Sequence, residues 1–398
     1  MACFSKLFQA VGLTMLAQQV LAAQLYALHY TDGVHQLEFS EENGLNVVSV
    51  TVHGSPMLAW LTWDHANRNL YGIDEADGGL ISWAAAEDNT LTETANVPAL
   101  GSGVSNALYG GADGDGFLAN AHYSTSAITT FKLPLGADSA QLQEFTYTMD
   151  GPGPNPGRQE APHPHHIIPD PTGTFLVAPD LGADILRTYA VNKESGELTD
   201  CGGPSTQPGA GPRHAVFWTG ASSRVNRRQG AGTKLFIADE LSKTVSRWAV
   251  AYNGASGCPD LTLEQTLTPY ADNATAIEGT KVGEIKVFGN HLYISNRNDK
   301  SFGEKNCSLS HYTLSETGEM TWSEISPAHG WYPRTFDINA AGDLVAIGDQ
   351  TTSNVAIVKR DVETGKLGDL VGNLRIGVEG TPESEDGLSA VLWIDEGA

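Results

Sequence analysis

The sequence is poor in cations, in cysteine and in long apolar runs, and these shortages exclude several classes of protein. Its 398 residues include 23 Lys and Arg against 47 Asp and Glu, which gives a formal net charge of −24. Such a charge repels nucleic acids and anionic lipid surfaces, so we expect neither a nucleic acid nor a membrane as a partner. After the N-terminal residues, no apolar run is long enough to cross a bilayer.

Several catalytic and cofactor motifs are also missing. Without a Gly-x-Ser-x-Gly elbow, a serine nucleophile is not expected. A Gly-rich phosphate loop and a dinucleotide fingerprint are absent too, which predicts catalysis without a cofactor. Neither HExxH nor CxxC spacing occurs, so we predict no metal site.

The first 23 residues have the composition of a secretory signal. Lys6 supplies a basic end, residues 7–21 are mostly apolar, and Val20-Leu21-Ala22 offers a cleavage site with small residues. We therefore predict a signal peptide over 1–23, and a mature protein that is secreted or held at the cell surface.

The few cysteines fit an exported chain. Removal of the signal discards Cys3 and leaves Cys201, Cys258 and Cys307. One disulfide and one free thiol are expected, with the pairing left open. Asn273 and Asn306 each begin an N-glycosylation pattern, which has meaning only in the secretory route.

What the sequence does contain is a phrase repeated seven times. Each copy is an apolar hexamer that ends on a polar residue and is followed by a turn and a second alternating segment. The copies are LYALHY, LYGIDE, FLANAH, FLVAPD, LFIADE, LYISNR and LVAIGD, which begin at Leu25, Leu70, Phe117, Phe175, Leu235, Leu292 and Leu344. A period of roughly 45–60 residues made of short strands predicts an all-β fold, a seven-bladed β-propeller over residues 24–398. The C-terminal SAVLWID (389–395) is expected to complete a blade begun at the N-terminus.

Equivalent positions in a propeller form rings around the central channel. The sixth position of the phrase, predicted to end an inner strand, collects Tyr30, Glu75, His122, Asp180, Glu240, Arg297 and Asp349. The strands that precede the phrase add a second ring, His165, Arg213, Glu284 and Arg334. Burying a polar side chain costs free energy unless it is hydrogen-bonded, ion-paired or hydrated, so both rings indicate a site in the channel. The alternative is a set of solvated strand ends and hydrogen bonds between blades.

Five segments carry a resemblance to a known family. They are the His-rich stretch with DPTGTFLVAPDLGAD (170–184), GPRHAVF (211–217), LFIADEL (235–241), LYISNR (292–297) and VAIGDQ (345–350). In this order they resemble the seven-bladed lactonase family, which includes bacterial 6-phosphogluconolactonases and the fungal 3-carboxy-cis,cis-muconate lactonizing enzyme. AWLTWDHANRNLYGID (59–74) and GLSAVLWID (387–395) are similar to the muconate enzyme in particular.

The resemblance implies a catalytic set of one His, two Arg and one Glu, carried over to His165, Arg213, Arg297 and Glu240. Two guanidiniums would hold the carboxylates of a polyanionic substrate, and the imidazole would deliver a proton. Arg334 is a candidate third clamp, and His163 and His214 are further substrate-binding candidates. Other lactonase propellers hold calcium with Glu, Asn and Asp, which leaves a cation site open as an alternative.

Three functions remain open on this reading. The first is a cofactor-independent enzyme most like the carboxy-muconate cyclase, an intramolecular lyase whose partner is a small anionic molecule, a carboxylate or lactone. The second is a secreted sugar-lactone hydrolase of the 6-phosphogluconolactonase type, which would use much of the same machinery. The third is a non-catalytic secreted or cell-wall glycoprotein that binds through the propeller face.

Overall fold

The structure is a computed structural model that describes residues 22–55, 57–220, 232–253 and 256–394. Its strands form seven four-stranded antiparallel sheets. The innermost strands of neighbouring sheets contact one another around a central axis, so the sheets are the blades of a propeller. The predicted seven-bladed β-propeller is thus confirmed. The predicted signal peptide lies outside the described residues, apart from its last two positions.

The strands are short and alternate with turns along the whole described chain. The first eleven are β1 (Ala23–His29), β2 (Gly33–Ser40), β3 (Gly44–Thr51), β4 (Leu58–Asp64), β5 (Asn69–Asp74), β6 (Leu80–Ala85), β7 (Leu91–Val97), β8 (Gly103–Tyr109), β9 (Phe117–His122), β10 (Ala127–Lys132) and β11 (Gln141–Thr146). The next eight are β12 (Ile168–Pro169), β13 (Phe175–Asp180), β14 (Ile185–Val191), β15 (Leu198–Gly202), β16 (Pro212–Trp218), β17 (Lys234–Asp239), β18 (Thr244–Tyr252) and β19 (Pro259–Leu267). The last nine are β20 (Lys281–Phe288), β21 (His291–Arg297), β22 (Ser308–Leu314), β23 (Met320–Pro327), β24 (Pro333–Ile338), β25 (Leu344–Asp349), β26 (Asn354–Arg360), β27 (Leu367–Arg375) and β28 (Leu388–Trp393).

The ring is closed by the two ends of the chain. Blade 1 has the order β28, β1, β2, β3 from the channel outward, so its innermost strand comes from the C-terminus. Leu25 of β1 faces Trp393 of β28 in this antiparallel pair. The closing role predicted for the C-terminal segment is confirmed. Blades 2 to 7 each use four consecutive strands, from β4–β7 to β24–β27.

Helical structure is nearly absent from the described part of the chain. It shows one 3-10 turn, Ala271–Asn273. None of the described helices is long and apolar enough to cross a membrane.

The hydrophobic core is divided among the interfaces between blades. Seven clusters of described residues are found, one at each contact between neighbouring blades. Blades 4 and 5, for example, share Val177, Ile237 and Trp248, all almost fully buried. Burying a large apolar side chain contributes about 1.5–3 kcal/mol, so each interface stabilises the position of both adjoining blades.

The repeated phrase forms the second strand of each blade rather than the innermost one, which corrects the sequence prediction. In blade 5, the first five residues of LFIADE (235–240) lie in β17, and β16 lies between that strand and the channel. The innermost strands are therefore the ones that precede the phrase. The phrase reaches the channel only at its end, where the chain leaves β17 after Asp239.

In addition, the sequence analysis placed three of the seven phrase copies one residue too early relative to the other four. The backbone N–H of Glu240 donates to Gly211 O, just before the innermost strand, and that of Glu75 donates to Met57 O. In blades 3, 4 and 7 the equivalent N–H groups belong to Tyr123, Leu181 and Gln350, one position after the predicted residues. His122, Asp180 and Asp349 instead end the strands β9, β13 and β25 and are buried inside their blades.

A disulfide joins Cys201 to Cys258, with their Cα atoms 5.7 Å apart, and Cys307 is a buried free cysteine. The pairing had been left open by the sequence. Cys201 lies on the outermost strand of blade 4, and Cys258 immediately precedes the outermost strand of blade 5. The bond therefore links two neighbouring blades at the rim.

We expect the double change Cys201→Ser and Cys258→Ser to destabilise the protein. Loss of a bridge across 57 residues removes a constraint on the unfolded chain, which costs about 2–4 kcal/mol. Thermal unfolding of the variant and of the oxidised parent measures this difference. Equal midpoints in the two proteins would show that the bond does not stabilise the fold.

Candidate active site

Three side chains reach the channel from the same position on three blades. Pro164, Pro212 and Pro333 pair with Asp180, Asp239 and Asp349, the last residues of the second strands. The residue after each proline is skipped by the strand pairing in blades 5 and 7, and such bulges redirect a side chain. These residues are His165, Arg213 and Arg334, which the sequence placed in one ring.

Glu284, the fourth predicted member of that ring, lies one residue further along. In blade 6, Val282 pairs with Asn296, so Gly283 occupies the position equivalent to Arg213. A Cβ at residue 283 would lie 2.7 Å from Ser295 Oγ and 3.2 Å from Arg297 Cδ. The glycine thus leaves the space that the Arg297 side chain occupies.

A buried carboxylate surrounded by three guanidiniums is the centre of the site. Glu240 is 1% exposed; its Oε1 lies 2.7 Å from Arg158 NH1, and its Oε2 lies 3.0 Å from Arg213 Nε. Arg297 NH2 also donates to Oε2. Burial alone would raise the pKa of Glu240, but Arg297, Arg158 and Arg213 together hold that pKa well below its usual range. The carboxylate is therefore ionised and fixes the three cations.

The side chains around this cluster line a cavity of about 500 Å³ at the end of the channel where the innermost strands begin. Arg158, His165, Glu240 and Arg297 form one part of its wall. Arg213 lies behind them, 1% exposed, and donates from NH1 to Gly283 O. We call the group Arg158, His165, Arg213, Glu240 and Arg297 the basic wall.

Carboxylates form another part of the same cavity, which we call the acidic wall: Glu75, Glu383 and Glu385. Glu75 Oε2 accepts a hydrogen bond from Tyr30 at 3.1 Å and lies 3.8 Å from Arg334 NH2. Burial raises the pKa of Glu75; Arg334 opposes this shift and Glu385 adds to it. Glu383 pairs with Lys281 at 3.1 Å.

His165 presents an unusual combination of burial and exposure to the cavity. Its Nδ1 is buried without a hydrogen-bond partner, while the residue itself lines the cavity. Burial, followed by the neighbouring charges of Arg213 and His214, lowers the pKa of His165 well below its ordinary value. The imidazole is accordingly neutral near pH 7, which is the form that accepts a proton.

Neither of the two predicted substrate-binding histidines lines the cavity. His163 stacks on Tyr123 with ring centroids 4.1 Å apart, and its Nε2 lies 3.0 Å from Glu160 Oε1. His214 is buried beneath the cavity, with its Nδ1 3.2 Å from Glu284 Oε2. The structure therefore brings His165, Arg297, Glu240 and Arg334 to the cavity surface, and Arg213 directly behind it.

Several cavity residues were missed by the sequence analysis because they lie in loops. Arg158 comes from the Gly- and Pro-rich segment 151–158, where no periodicity marks it. Glu383, Ser384 and Glu385 belong to the connection between β27 and β28. The sequence did contain a signal for Tyr123 and Gln350, because each directly follows a copy of the phrase that was placed one residue too early.

Among the described residues, no group of three or more His, Cys, Asp or Glu side chains could hold a metal ion. The acidic wall thus provides no metal site of that kind. Catalysis without a metal or cofactor stays a prediction.

The fold and cavity together define a class: a seven-bladed propeller whose channel opens into a cavity lined by arginine, glutamate and histidine side chains. Over residues 24–381 the chain matches the family described as Lactonase, 7-bladed beta-propeller, and it belongs to that family. This membership makes it an enzyme that acts on lactones, and the non-catalytic alternative is not supported.

Comparison with known proteins agrees with this assignment. The chain is 28% identical to a probable 6-phosphogluconolactonase of Arthroderma benhamiae, across 84% of this chain and 82% of that protein. It is 27% identical to the 6-phosphogluconolactonase of Bacillus subtilis, across 85% and 90%. The fold is similar to that of a periplasmic gluconolactonase of Pseudomonas aeruginosa, with a TM-score of 0.74, 22% identity and coverage of 94% and 99%.

We expect Glu240→Gln to destabilise the protein by about 3–5 kcal/mol, because it leaves the buried Arg213 without a counter-charge. Glu264→Gln is the matched control: Glu264 also contacts two cations, Lys234 and Arg247, but lies nearer the surface. Its loss should cost less than about 1 kcal/mol. Urea unfolding measures both, and equal losses would contradict the proposed role of Glu240.

Proposed function

We propose that the protein hydrolyses a polyhydroxylated sugar lactone that carries an anionic group, as a 6-phosphogluconolactone does. The observation that carries this proposal is the juxtaposition of the basic wall and the acidic wall in one cavity. The basic wall suits an ester carbonyl and an anion. The names of the relatives support the same substrate class.

The chemistry begins with water as the nucleophile. His165 Nε2 accepts a proton from the water as its oxygen attacks the lactone carbonyl carbon. Arg297 and Arg158 stabilise the oxyanion that forms on the carbonyl oxygen. The ring C–O bond then breaks, and the departing alkoxide takes the proton from the imidazolium. The product is the open hydroxy acid, and His165 returns to its neutral form.

Glu240 does not serve as the base in this scheme. Its carboxylate is engaged by three guanidiniums, and its low pKa makes it a poor proton acceptor. It acts instead as a positioning residue, because it fixes the side chains of Arg158 and Arg297 that face the substrate.

The acidic wall favours a sugar over a polycarboxylate. Carboxylate oxygens only accept hydrogen bonds, and sugar hydroxyls can donate to Glu75, Glu383 and Glu385. A tricarboxylate would face like charges there. The formal charges on the surface of the cavity are balanced, because four cations oppose four carboxylates: Arg158, Lys281, Arg297 and Arg334 against Glu75, Glu240, Glu383 and Glu385.

Muconate cyclisation is the second candidate. The four residues implied by that resemblance, His165, Arg213, Glu240 and Arg297, do lie together at the basic wall. The comparisons nevertheless favour lactone hydrolysis, the alternative reading of the sequence, over the cyclase.

Three observations support our proposal that the protein is exported from the cell. The first is the signal-like composition of residues 1–23. The second is the Cys201–Cys258 disulfide, because such bonds persist in oxidising compartments. The third is the exposure of Asn273, the first residue of a glycosylation pattern. Cleavage of the leader and a mobility shift on glycosidase treatment of the secreted protein would test this proposal.

A substrate panel tests the proposed function. We expect acid release, followed in a pH-stat, from 6-phosphogluconolactone at a higher kcat/KM than from gluconolactone, which lacks the anionic group, and no loss of the diene absorbance of 3-carboxy-cis,cis-muconate. Arg297→Ala should reduce kcat/KM by about 100-fold or more, since it removes an oxyanion donor. Rapid loss of the diene signal without lactone hydrolysis would instead establish the cyclase.

The pH dependence of hydrolysis tests the role of His165. Because the pKa of His165 is lowered, the base stays neutral as the pH falls from 8 to 6.5, and protonation removes activity only below that range. After subtraction of the uncatalysed rate, kcat/KM should be flat between these values. A half-maximal rate at or above pH 6.5 would contradict His165 as the base.

A further inference from the structure

One side chain at the cavity, that of Tyr123, has no role in the proposed mechanism. Tyr123 directly follows β9, is half-buried and lines the cavity beside the basic wall. Its ring meets the ring of His165 edge-on, with centroids 5.6 Å apart. Its hydroxyl oxygen lies 3.2 Å from Arg158 Nε. Tyr123 therefore adjoins both the proposed base and one of the two arginines that face the oxyanion.

The contact with Arg158 determines what the hydroxyl of Tyr123 can do. A guanidinium only donates hydrogen bonds, so the phenol oxygen is the acceptor here and its own proton points elsewhere. No acceptor for that proton is found in the part of the chain that the structure describes. Tyr30 differs, because its hydroxyl donates to Glu75 Oε2 at 3.1 Å. The proton of the Tyr123 hydroxyl is thus left for a ligand in the cavity.

The position of Tyr123 is held by its ring and by its backbone. The ring stacks on that of His163, with centroids 4.1 Å apart and the two planes 6° from parallel. The backbone N–H donates to Ser102 O at 2.7 Å, and the carbonyl oxygen lies 2.9 Å from His163 Nδ1. His163, which was predicted to bind substrate, therefore supports a neighbour that lines the cavity. A donor held in this way is preorganised for its acceptor.

The phenol keeps its proton near neutral pH. Burial raises the pKa of Tyr123, and the charge and hydrogen bond of Arg158 oppose that shift only in part. The charges of Glu240 and Glu160 raise the pKa further. The hydrogen bond from Arg158 also polarises the phenol oxygen, which makes the O–H group a stronger donor.

We propose that Tyr123 is a further catalytic residue, whose hydroxyl donates a hydrogen bond to the carbonyl oxygen of the lactone and to the oxyanion that forms there. The inference rests on the proposed function, in which Arg297 and Arg158 stabilise the same oxygen. A donor beside the carbonyl oxygen binds more strongly as negative charge develops, so it stabilises the transition state more than the substrate. Tyr123 loses no proton, because the departing alkoxide is protonated by His165.

Tyr123→Phe tests this role, because it removes the hydroxyl and keeps the ring that stacks on His163. We expect kcat/KM for 6-phosphogluconolactone to fall by about 100-fold, mainly through kcat, since the lost contact is strongest in the transition state. The matched control is Tyr312→Phe. The Tyr312 hydroxyl also forms a hydrogen bond, to Thr268 O at 2.7 Å, but Tyr312 does not line the cavity. This control should leave the kinetics unchanged.

Fluorine NMR of the full protein labelled with fluorotyrosine detects the contact without turnover. The chain has 12 tyrosines, and the spectrum of Tyr123→Phe assigns the Tyr123 signal. The probes are 6-phosphogluconate, the product of hydrolysis, and inorganic phosphate, because each brings anionic oxygens to the basic wall. We expect both probes to shift the Tyr123 signal. Calorimetry should show that Tyr123→Phe binds 6-phosphogluconate about 10-fold more weakly than the parent, since a hydrogen bond to a charged group is lost.

The outcomes separate the role of Tyr123 from the proposed function. If the parent hydrolyses lactones and folded Tyr123→Phe keeps the same kcat/KM, the role of Tyr123 is overturned and the proposed function stands. If the parent hydrolyses none of the lactones, the proposed function fails, but a shifted signal and weaker probe binding in Tyr123→Phe would still support Tyr123 as the donor. A Tyr123 signal that neither probe shifts, or an equal kinetic loss in Tyr312→Phe, would overturn the inference.

Discussion

The ion cluster around Glu240 is the interaction on which the rest of the site depends. Three guanidiniums converge at one end of the channel, and one of them, Arg213, is almost fully buried. Such a concentration of positive charge is tolerable only around a counter-charge of fixed position. Glu240 provides it. Burial, followed by the charges of Arg213 and His214, lowers the pKa of His165, and Glu240 partly opposes that shift. A single carboxylate thus fixes the arginine side chains that, in the proposed function, face the substrate.

The propeller explains how residues from distant parts of the sequence reach this cluster. Arg158, Arg213 and Arg297 come from different blades or their connections, and each blade is held by the apolar interfaces with its neighbours. Backbone bulges after Pro212 and Pro333 direct Arg213 and Arg334 toward the channel. The precision of the site is therefore a property of the whole ring, which strand β28 closes.

Much of the architecture could be predicted from the sequence, because the alternation of apolar residues and the repeat length are strong signals. The register of the repeat was a weaker signal. Phe117, Phe175 and Leu344 are the first apolar residues of their strands, but the positions equivalent to the start of the other copies lie one residue later. Arg158 and Glu383 could not be found, since a loop residue has no period to reveal it. His214 looked like a substrate ligand because sequence proximity to Arg213 says nothing about depth in the channel.

In the proposed function, the basic wall binds the carbonyl end of a sugar lactone and the acidic wall binds its hydroxyls. A crystal structure with the open hydroxy acid bound would test this claim most directly. We expect the product carboxylate between Arg158 and Arg297, beside His165, with hydroxyls directed at Glu75, Glu383 or Glu385. A product bound with its hydroxyls on the arginines and its carboxylate elsewhere would contradict the account.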